Sequence, residues 1–328
     1  MSLAKSDEKF LLTGSMGCIG AWVLRQLVDE GVDIVATDLS SDPVRPRLLL
    51  SEDEINGIKW QQLDVTDSEA VNRAVADNGI NRIVHLAGMQ IPFCKANPPL
   101  GAAVNVQGTV NVFEAARANK VNGVAYASSA AAFGPPELYP VTPIPDDAPL
   151  LSTTLYGVYK AANERTAQVY WDDWQVGTVG LRPYNVYGVC RDQGLTSDVA
   201  KAILATAAGK PFTIRYNGPI ALQHAKDVAA IFIGSARAEH KGALVGNLRN
   251  DVTDIEGFID VLKQVEPSAD VTCEKNLLPF PADYDDSNLR GLLGTVPHTS
   301  LDQAIAEDLA LYKSLIDQNA IDMTQLDK

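Results

Sequence analysis

The run Thr13-Gly14-Ser15-Met16-Gly17-Cys18-Ile19-Gly20 constrains this chain more than any other feature. It follows a short apolar stretch, residues 10–13, that reads as a buried strand. It opens residues 17–30, where Ile19, Trp22, Val23, Leu24 and Leu27 recur at helical spacing. Glycines between a strand and a helix let the backbone turn tightly and come close to an anion. The helix N-terminus adds free N–H groups and the positive end of its dipole. Gly14, Met16, Gly17, Cys18, Ile19 and Gly20 therefore read as the cradle of a pyrophosphate. The spacing is GxxGxxG, and three glycines alone would describe many turns; the strand before and the helix after give them weight. A second strand, residues 33–38, ends in Asp38, 24 positions after Gly14 (38 − 14) and next to Leu39. A carboxylate there can accept hydrogen bonds from adenosine ribose hydroxyls and repels the extra phosphate of NADP, so the pattern points to NAD.

Strand-like and helix-like stretches alternate onward. Residues 59–63, 82–86 and 123–128 read as strands, and 67–78 and 100–119 as helices. Alternation of this kind predicts a parallel sheet covered on both faces, a doubly wound Rossmann-type α/β fold. Residues 135–152 hold six prolines and read as an irregular loop. A helix over 156–174 and a strand over 178–182 follow. Beyond Tyr187 the elements shorten: helices over 201–209, 228–238, 255–265 and 301–315, and a strand over 212–215. The expected division is a dinucleotide-binding domain carrying the catalytic residues over 1–187 and a smaller substrate lobe over 188–328, partly interleaved with the first. The polar tail, 317–328, is expected to be mobile.

Tyr156 and Lys160 stand four apart on the predicted helix and so project from one face. A free tyrosine titrates near ~10. An adjacent ammonium and an oxidised nicotinamide ring both stabilise its phenolate, which suits proton exchange with an alcohol. The fifth strand ends in Ser128-Ser129, and a serine there points into the crevice where such sheets bind ligands. From position alone the two serines compete.

Composition excludes other classes. The chain has 328 residues, 46% hydrophobic, enough for a large core. Its net charge of −14 repels nucleic acid and anionic membrane, and Arg45 with Arg47 is the densest basic pair of the N-terminal half. No apolar run approaches the ~20 residues of a bilayer span. The first nine residues are short and polar, unlike a signal peptide. Cys18, Cys94, Cys190 and Cys273 are scattered without metal-ligand spacing, as expected of reduced thiols in a cytoplasmic protein with no metal.

In combination and order, the motifs resemble those of the extended short-chain dehydrogenases/reductases, the NAD-dependent epimerase/dehydratase family. They are TGSMGCIG at 13–20, DLS at 38–40, LDVTD at 63–67, HLAG at 85–88 and NVQGTVNVFEAA at 105–116. SSAAAFG at 128–134, YGVYK at 156–160 and LRPYNVYG at 181–188 complete the set. The resemblance implies that Asp64 and Val65 sit beside the adenine and that Leu86, Ala87 and Gly88 line the cofactor. It has Asn105 brace the site from the long helix, and Tyr184, Asn185 and Val186 flank the nicotinamide and substrate. It selects Ser129 over Ser128 as the catalytic hydroxyl, leaves His85 a structural role, and implies a homodimer.

Two departures bear on the substrate. The Asp-Glu pair that drives water elimination in the family's dehydratases is replaced by Ala130-Ala131. The arginine that grips a nucleotide diphosphate in many members is replaced by Ile220, with Arg191 or Arg215 as substitutes. The expected substrate is therefore small, polar and carbohydrate-like, a sugar or sugar acid whose secondary alcohol is oxidised. Gln90, Ser129, Asn185, Arg191 and Gln193 are the candidate contacts, and Arg191 can pair with one carboxylate. The alternatives are an epimerase with the same residues and, further off, a non-catalytic NAD sensor.

Overall fold

The structure, a computed structural model, describes residues 7–121 and 123–327. Most of the polar N-terminal stretch, residues 1–6, and Lys328 of the tail lie outside the described residues.

Seven strands form the main sheet: β1 (Lys9–Thr13), β2 (Asp33–Asp38), β3 (Lys59–Gln62), β4 (Arg82–His85), β5 (Gly123–Ala127), β6 (Thr178–Arg182) and, from the C-terminal half, β10 (Ala243–Asn247). Their order is β10-β6-β5-β4-β1-β2-β3, and every neighbouring pair is parallel. Both faces are covered, as parallel strands require. Along β1, Phe10 and Leu12 enter a core shared with the Cys18–Asp29 and Ala225–Arg237 helices. Leu11, facing the other way, enters a core with the Ser68–Ala76 and Gly108–Asn119 helices. From β1 the chain moves outward to β2 and β3 and then crosses back to β4, so the switch in direction falls between β1 and β4. The crevice beyond the C-terminal ends of those strands is the ligand site of such sheets.

All six strands expected before residue 183 are present, with ends shifted by at most two residues. The expected 100–119 helix starts at Pro98 and contains a π-helical turn, Ala103–Gln107, a distortion frequent at functional sites. The second half holds more strand than expected. β7 (Asn185–Tyr187), β9 (Pro219–His224) and β11 (Asp251–Asp254) make a three-stranded sheet; β8 (Phe212–Ile214) pairs with β12 (Val271–Cys273). With β10 in the main sheet and the Ala225–Arg237 helix against β4 and β5, the second half is woven into the first. The tail differs from expectation: Ile321, Met323 and Leu326 pack against the main core, a pattern masked by their polar neighbours. Among the described residues no helix is long and apolar enough to cross a membrane. The four cysteines are free.

Candidate active site

A cleft of about 900 Å³ runs across the switch point. At its floor the phosphate loop leaves β1. Gly14 adopts φ +73°, and a Cβ on it would come within 2.7 Å of the Ala87 backbone nitrogen. A Cβ on Gly20 would collide with the Gly14 carbonyl oxygen. Only glycine permits this close layering of loop, helix and β4 exit. The Cys18–Asp29 helix has Gly17 as its N-cap and no side-chain cap, so its first turn keeps donors for an anion. Asp38 lines the cleft at the end of β2, its Oδ2 accepting from the Met16 N–H at 3.0 Å and its Oδ1 from the Ser40 N–H at 3.3 Å. The same carboxylate thus shapes the loop and lines the cleft. Leu39, Asp64, Val65, Leu86, Ala87 and Gly88 continue the wall. This donor set fits NAD: glycines where a side chain would fill the cradle, uncapped helix N–H groups, and a carboxylate at the adenosine end.

At the other end of the cleft the Leu155–Trp174 helix presents Tyr156 and Lys160. Burial raises the Tyr156 phenol above its ordinary value; a hydrogen bond with Ser129 and the positive charge of Arg191 oppose that rise. Lys160 donates to the Ala127 carbonyl at 2.6 Å, and its Nζ lies 5.5 Å from the Tyr156 ring centroid. Burial lowers its ammonium to about 8. The two serines separate cleanly. Ser128 is buried and donates to Glu164 Oε1, whereas Ser129 meets Tyr156 in the cleft. Tyr159, three residues past Tyr156, donates instead to the Pro98 carbonyl at 3.1 Å. His85 bridges Thr13 and Thr109 in the core at 2.7 and 3.1 Å, a structural position.

Gln90, Tyr184, Val186, Arg191 and Gln193 line the cleft as expected. Asn185 does not. It is fully buried on β7, with its Nδ2 near the Tyr216 hydroxyl at 3.5 Å. Strand alternation turns it away from the cleft that Tyr184 and Val186 face, so its expected substrate contact is withdrawn. Asn105 also stays behind the wall. Its Nδ2 donates to the Met89 and Gly101 carbonyls at 3.2 and 3.0 Å, and its Oδ1 backs Gly88, bracing the lining rather than touching a ligand. Arg215 is no diphosphate substitute: it is bound to the buried Asp198 at 2.6 Å and does not line the cleft.

The sequence reading missed Arg45, Thr196 and Phe280, which line the cleft from loops without a motif. Arg45 donates to the Met16 carbonyl at 3.0 Å and pairs with Asp192 at 2.9 Å, joining the phosphate loop to the loop after β7. That second loop begins with a strained turn, Gly188 at φ +118° and Cys190 at φ +78°. The Val189 N–H donates to Asp308 Oδ1 at 3.3 Å. Its carbonyl accepts from Trp22 Nε1 at 3.0 Å, and the Gly188 carbonyl accepts from the Tyr312 hydroxyl at 3.2 Å. Among the described residues no group of side chains could hold a metal ion.

Comparison with known proteins follows the same lines. The model of the NAD dependent epimerase/dehydratase family matches residues 10–245. A UDP-glucose 4-epimerase of Mycolicibacterium smegmatis is 30% identical over 62% of this chain and 65% of its own length. The L-threonine dehydrogenase of Clostridium difficile superposes with a TM-score of 0.83 at 19% identity, over 94% of this chain and 98% of that one. The UDP-glucose 4-epimerase of Thermotoga maritima gives 0.80 at 19% identity, over 94% and 99%.

Proposed function

The chain belongs to the NAD-dependent epimerase/dehydratase family, and from that premise we propose that it is a dehydrogenase that oxidises a secondary alcohol of a small, polar, carbohydrate-like substrate. The observation that carries this reading is the meeting of Ser129, Tyr156 and Lys160 in the same cleft as the glycine loop and Asp38. Ser129 holds the substrate oxygen. Tyr156, as phenolate, takes the hydroxyl proton while the carbon gives up its hydrogen with the bonding pair, leaving a carbonyl. NAD, when bound, supplies the acceptor for that hydride. Lys160, fixed by the Ala127 carbonyl, keeps a positive charge beside the Tyr156 ring and is placed to hold the nicotinamide ribose.

A small substrate is supported by what the substrate end lacks. Ile220, Ala221 and Leu222, where the diphosphate-gripping stretch would lie, are buried core residues of β9. Ala130 and Ala131 form a buried turn with no acid or base for water elimination. The likeness to L-threonine dehydrogenases, which oxidise by name, is compatible with this reading. The test is a screen of sugars, sugar acids, polyols and L-threonine for NADH absorbance, with at least one compound expected to reduce NAD. The 30% identity to a UDP-glucose 4-epimerase favours a second reading, in which the same residues return the hydride to the opposite face. Calorimetry on the NAD-loaded protein separates the two: micromolar binding of UDP-glucose, UDP-galactose or GDP-mannose would put the epimerase first. Assembly as a two-fold homodimer is part of the proposal, checked by a solution mass at micromolar concentration.

A further inference from the structure

Among the described residues three cations line the cleft: Arg45, Lys160 and Arg191. Two have protein partners. Arg45 pairs with Asp192 and donates to the phosphate loop, and Lys160 donates to the Ala127 carbonyl. Arg191 has none among the described residues. No carboxylate pairs with it, and its Nε is buried without a hydrogen-bond partner. A guanidinium placed in a partly dry cleft and left unpaired is costly unless it serves a ligand. Arg191 is also aimed. A Cβ on Gly194, at φ +112°, would come 2.9 Å from Arg191 Nη2 and 3.1 Å from Gln90 Oε1. The bare glycine thus lets the guanidinium and the Gln90 amide meet over one small floor. Gln90 Oε1 is itself buried without a partner, and so is the Tyr184 hydroxyl on the neighbouring wall. Finally, the charge of Arg191 bears both on the Tyr156 phenol and on the Cys18 thiol, so it lies between the reacting end of the cleft and the phosphate loop.

We propose that the substrate is a hydroxy acid, with Arg191 as the group that grips its carboxylate while the secondary alcohol lies at Ser129 and Tyr156. The inference rests on the dehydrogenase reading above for its chemistry but not for its binding. A planar guanidinium matches a carboxylate with two parallel N–H···O bonds, a geometry that an ammonium lacks. Gln90 and Tyr184 line the same cleft as the residues nearest to hand for further hydroxyls of the acid, which their buried, unpartnered oxygens would meet after a side-chain shift. The two interactions also communicate. The carboxylate neutralises part of the field that favours the phenolate, so the alkaline rise in kcat lies at higher pH than the rise in kcat/KM.

The experiment compares three- to six-carbon hydroxy acids, aldonic and uronic acids included, with their neutral aldose, polyol or amide counterparts. Wild type, Arg191→Met and Arg191→Lys are each loaded with NAD; binding is read by calorimetry and turnover by NADH absorbance. Wild type is expected to prefer an acid over its neutral counterpart by ~10²-fold in affinity. Arg191→Met is expected to lose that preference through Kd and KM, with NAD affinity within about twofold of wild type, and Arg191→Lys to restore part of it. Melting temperature and NAD binding confirm that the variants fold. Neutral compounds bound as tightly as acids, or no acid bound in an Arg191-dependent way, would overturn the assignment. So would a loss of NAD affinity in Arg191→Met equal to the loss for the acid, since the guanidinium would then serve the cofactor phosphates. If acids bind through Arg191 but no compound reduces NAD, the carboxylate site stands and the dehydrogenase reading fails.

Discussion

Glu164 offers a sharp test of how the catalytic helix is held. It sits one turn beyond Lys160 and forms a buried, two-pronged pair with Arg182 of β6, Nε to Oε1 at 2.8 Å and Nη2 to Oε2 at 2.7 Å. Both side chains are about 95% buried, at 4% and 5% exposure. Arg182 also donates to the Asp146 carbonyl at 2.8 Å and lies 4.6 Å from the Phe133 ring centroid, while Ser128 donates to Glu164. Glu164→Gln keeps the volume and removes the charge, turning an amide group with its own donors toward a guanidinium that can only donate. Two charge-assisted hydrogen bonds are lost or weakened and a buried cation is left uncompensated. The expected destabilisation is about 3–5 kcal/mol, the usual cost of breaking a buried pair from one side. At the roughly 2 °C per kcal/mol of a chain this large, the melting temperature falls by about 6–10 °C. The assay is thermal and urea unfolding by circular dichroism of Glu164→Gln, Arg182→Met and the double variant. The double variant is expected to recover most of the loss, because neither charge is then stranded. A single-variant loss below about 1 kcal/mol, or additive losses in the double variant, would refute the reasoning.

Tyr156→Phe should fold, bind NAD and lose turnover by ~10²-fold or more, while Tyr159→Phe, which loses only its bond to Pro98, keeps it; steady-state kinetics compare the two. Asp38→Ala should weaken NAD binding by about tenfold and relax the preference against NADP, because the residue holds Met16 and, in the role proposed for it, accepts from the ribose; calorimetry with each cofactor measures it. Lys160 gives a pH signature. Its folded value, about 8, lies below the ordinary 10.5, so between those values the unfolded chain binds the extra proton. This residue therefore makes stability rise with pH across that window, and Lys160→Met should flatten the rise in urea melts.

What the sequence showed and what it hid follow physical lines. The phosphate loop was legible because glycine spacing, a buried strand and a helix start coincide within a dozen residues. Tyr156 and Lys160 were legible because helical period alone puts them on one face. The choice of Ser129 over Ser128 needed the resemblance, because what distinguishes the two is side-chain geometry: Ser128 is bound to Glu164, 36 residues away. Asn185 was misplaced because a three-residue strand carries no visible alternation, and a one-residue difference in phase turns a side chain from cleft to core. Arg45 and Phe280 stayed hidden because a loop residue joins a site through chain path rather than pattern. β10 was missed for a similar reason: Ala243–Asn247 is short, and its partner β6 lies some sixty positions earlier.

The clamped turn at 188–190 also sets an order of events. Its backbone is held by Trp22 from the first helix and by Asp308 and Tyr312 from the last, the latter pair 119 and 124 positions from their partners. A chain made from its N-terminus can form the glycine loop and β1 to β6 long before residue 308 exists. The loop that carries Arg191 takes two of its backbone anchors from the Leu301–Asp317 helix. The substrate wall thus depends on a helix more than a hundred positions downstream, and a chain halted short of that helix is expected to lack a fixed wall beside its dinucleotide cradle.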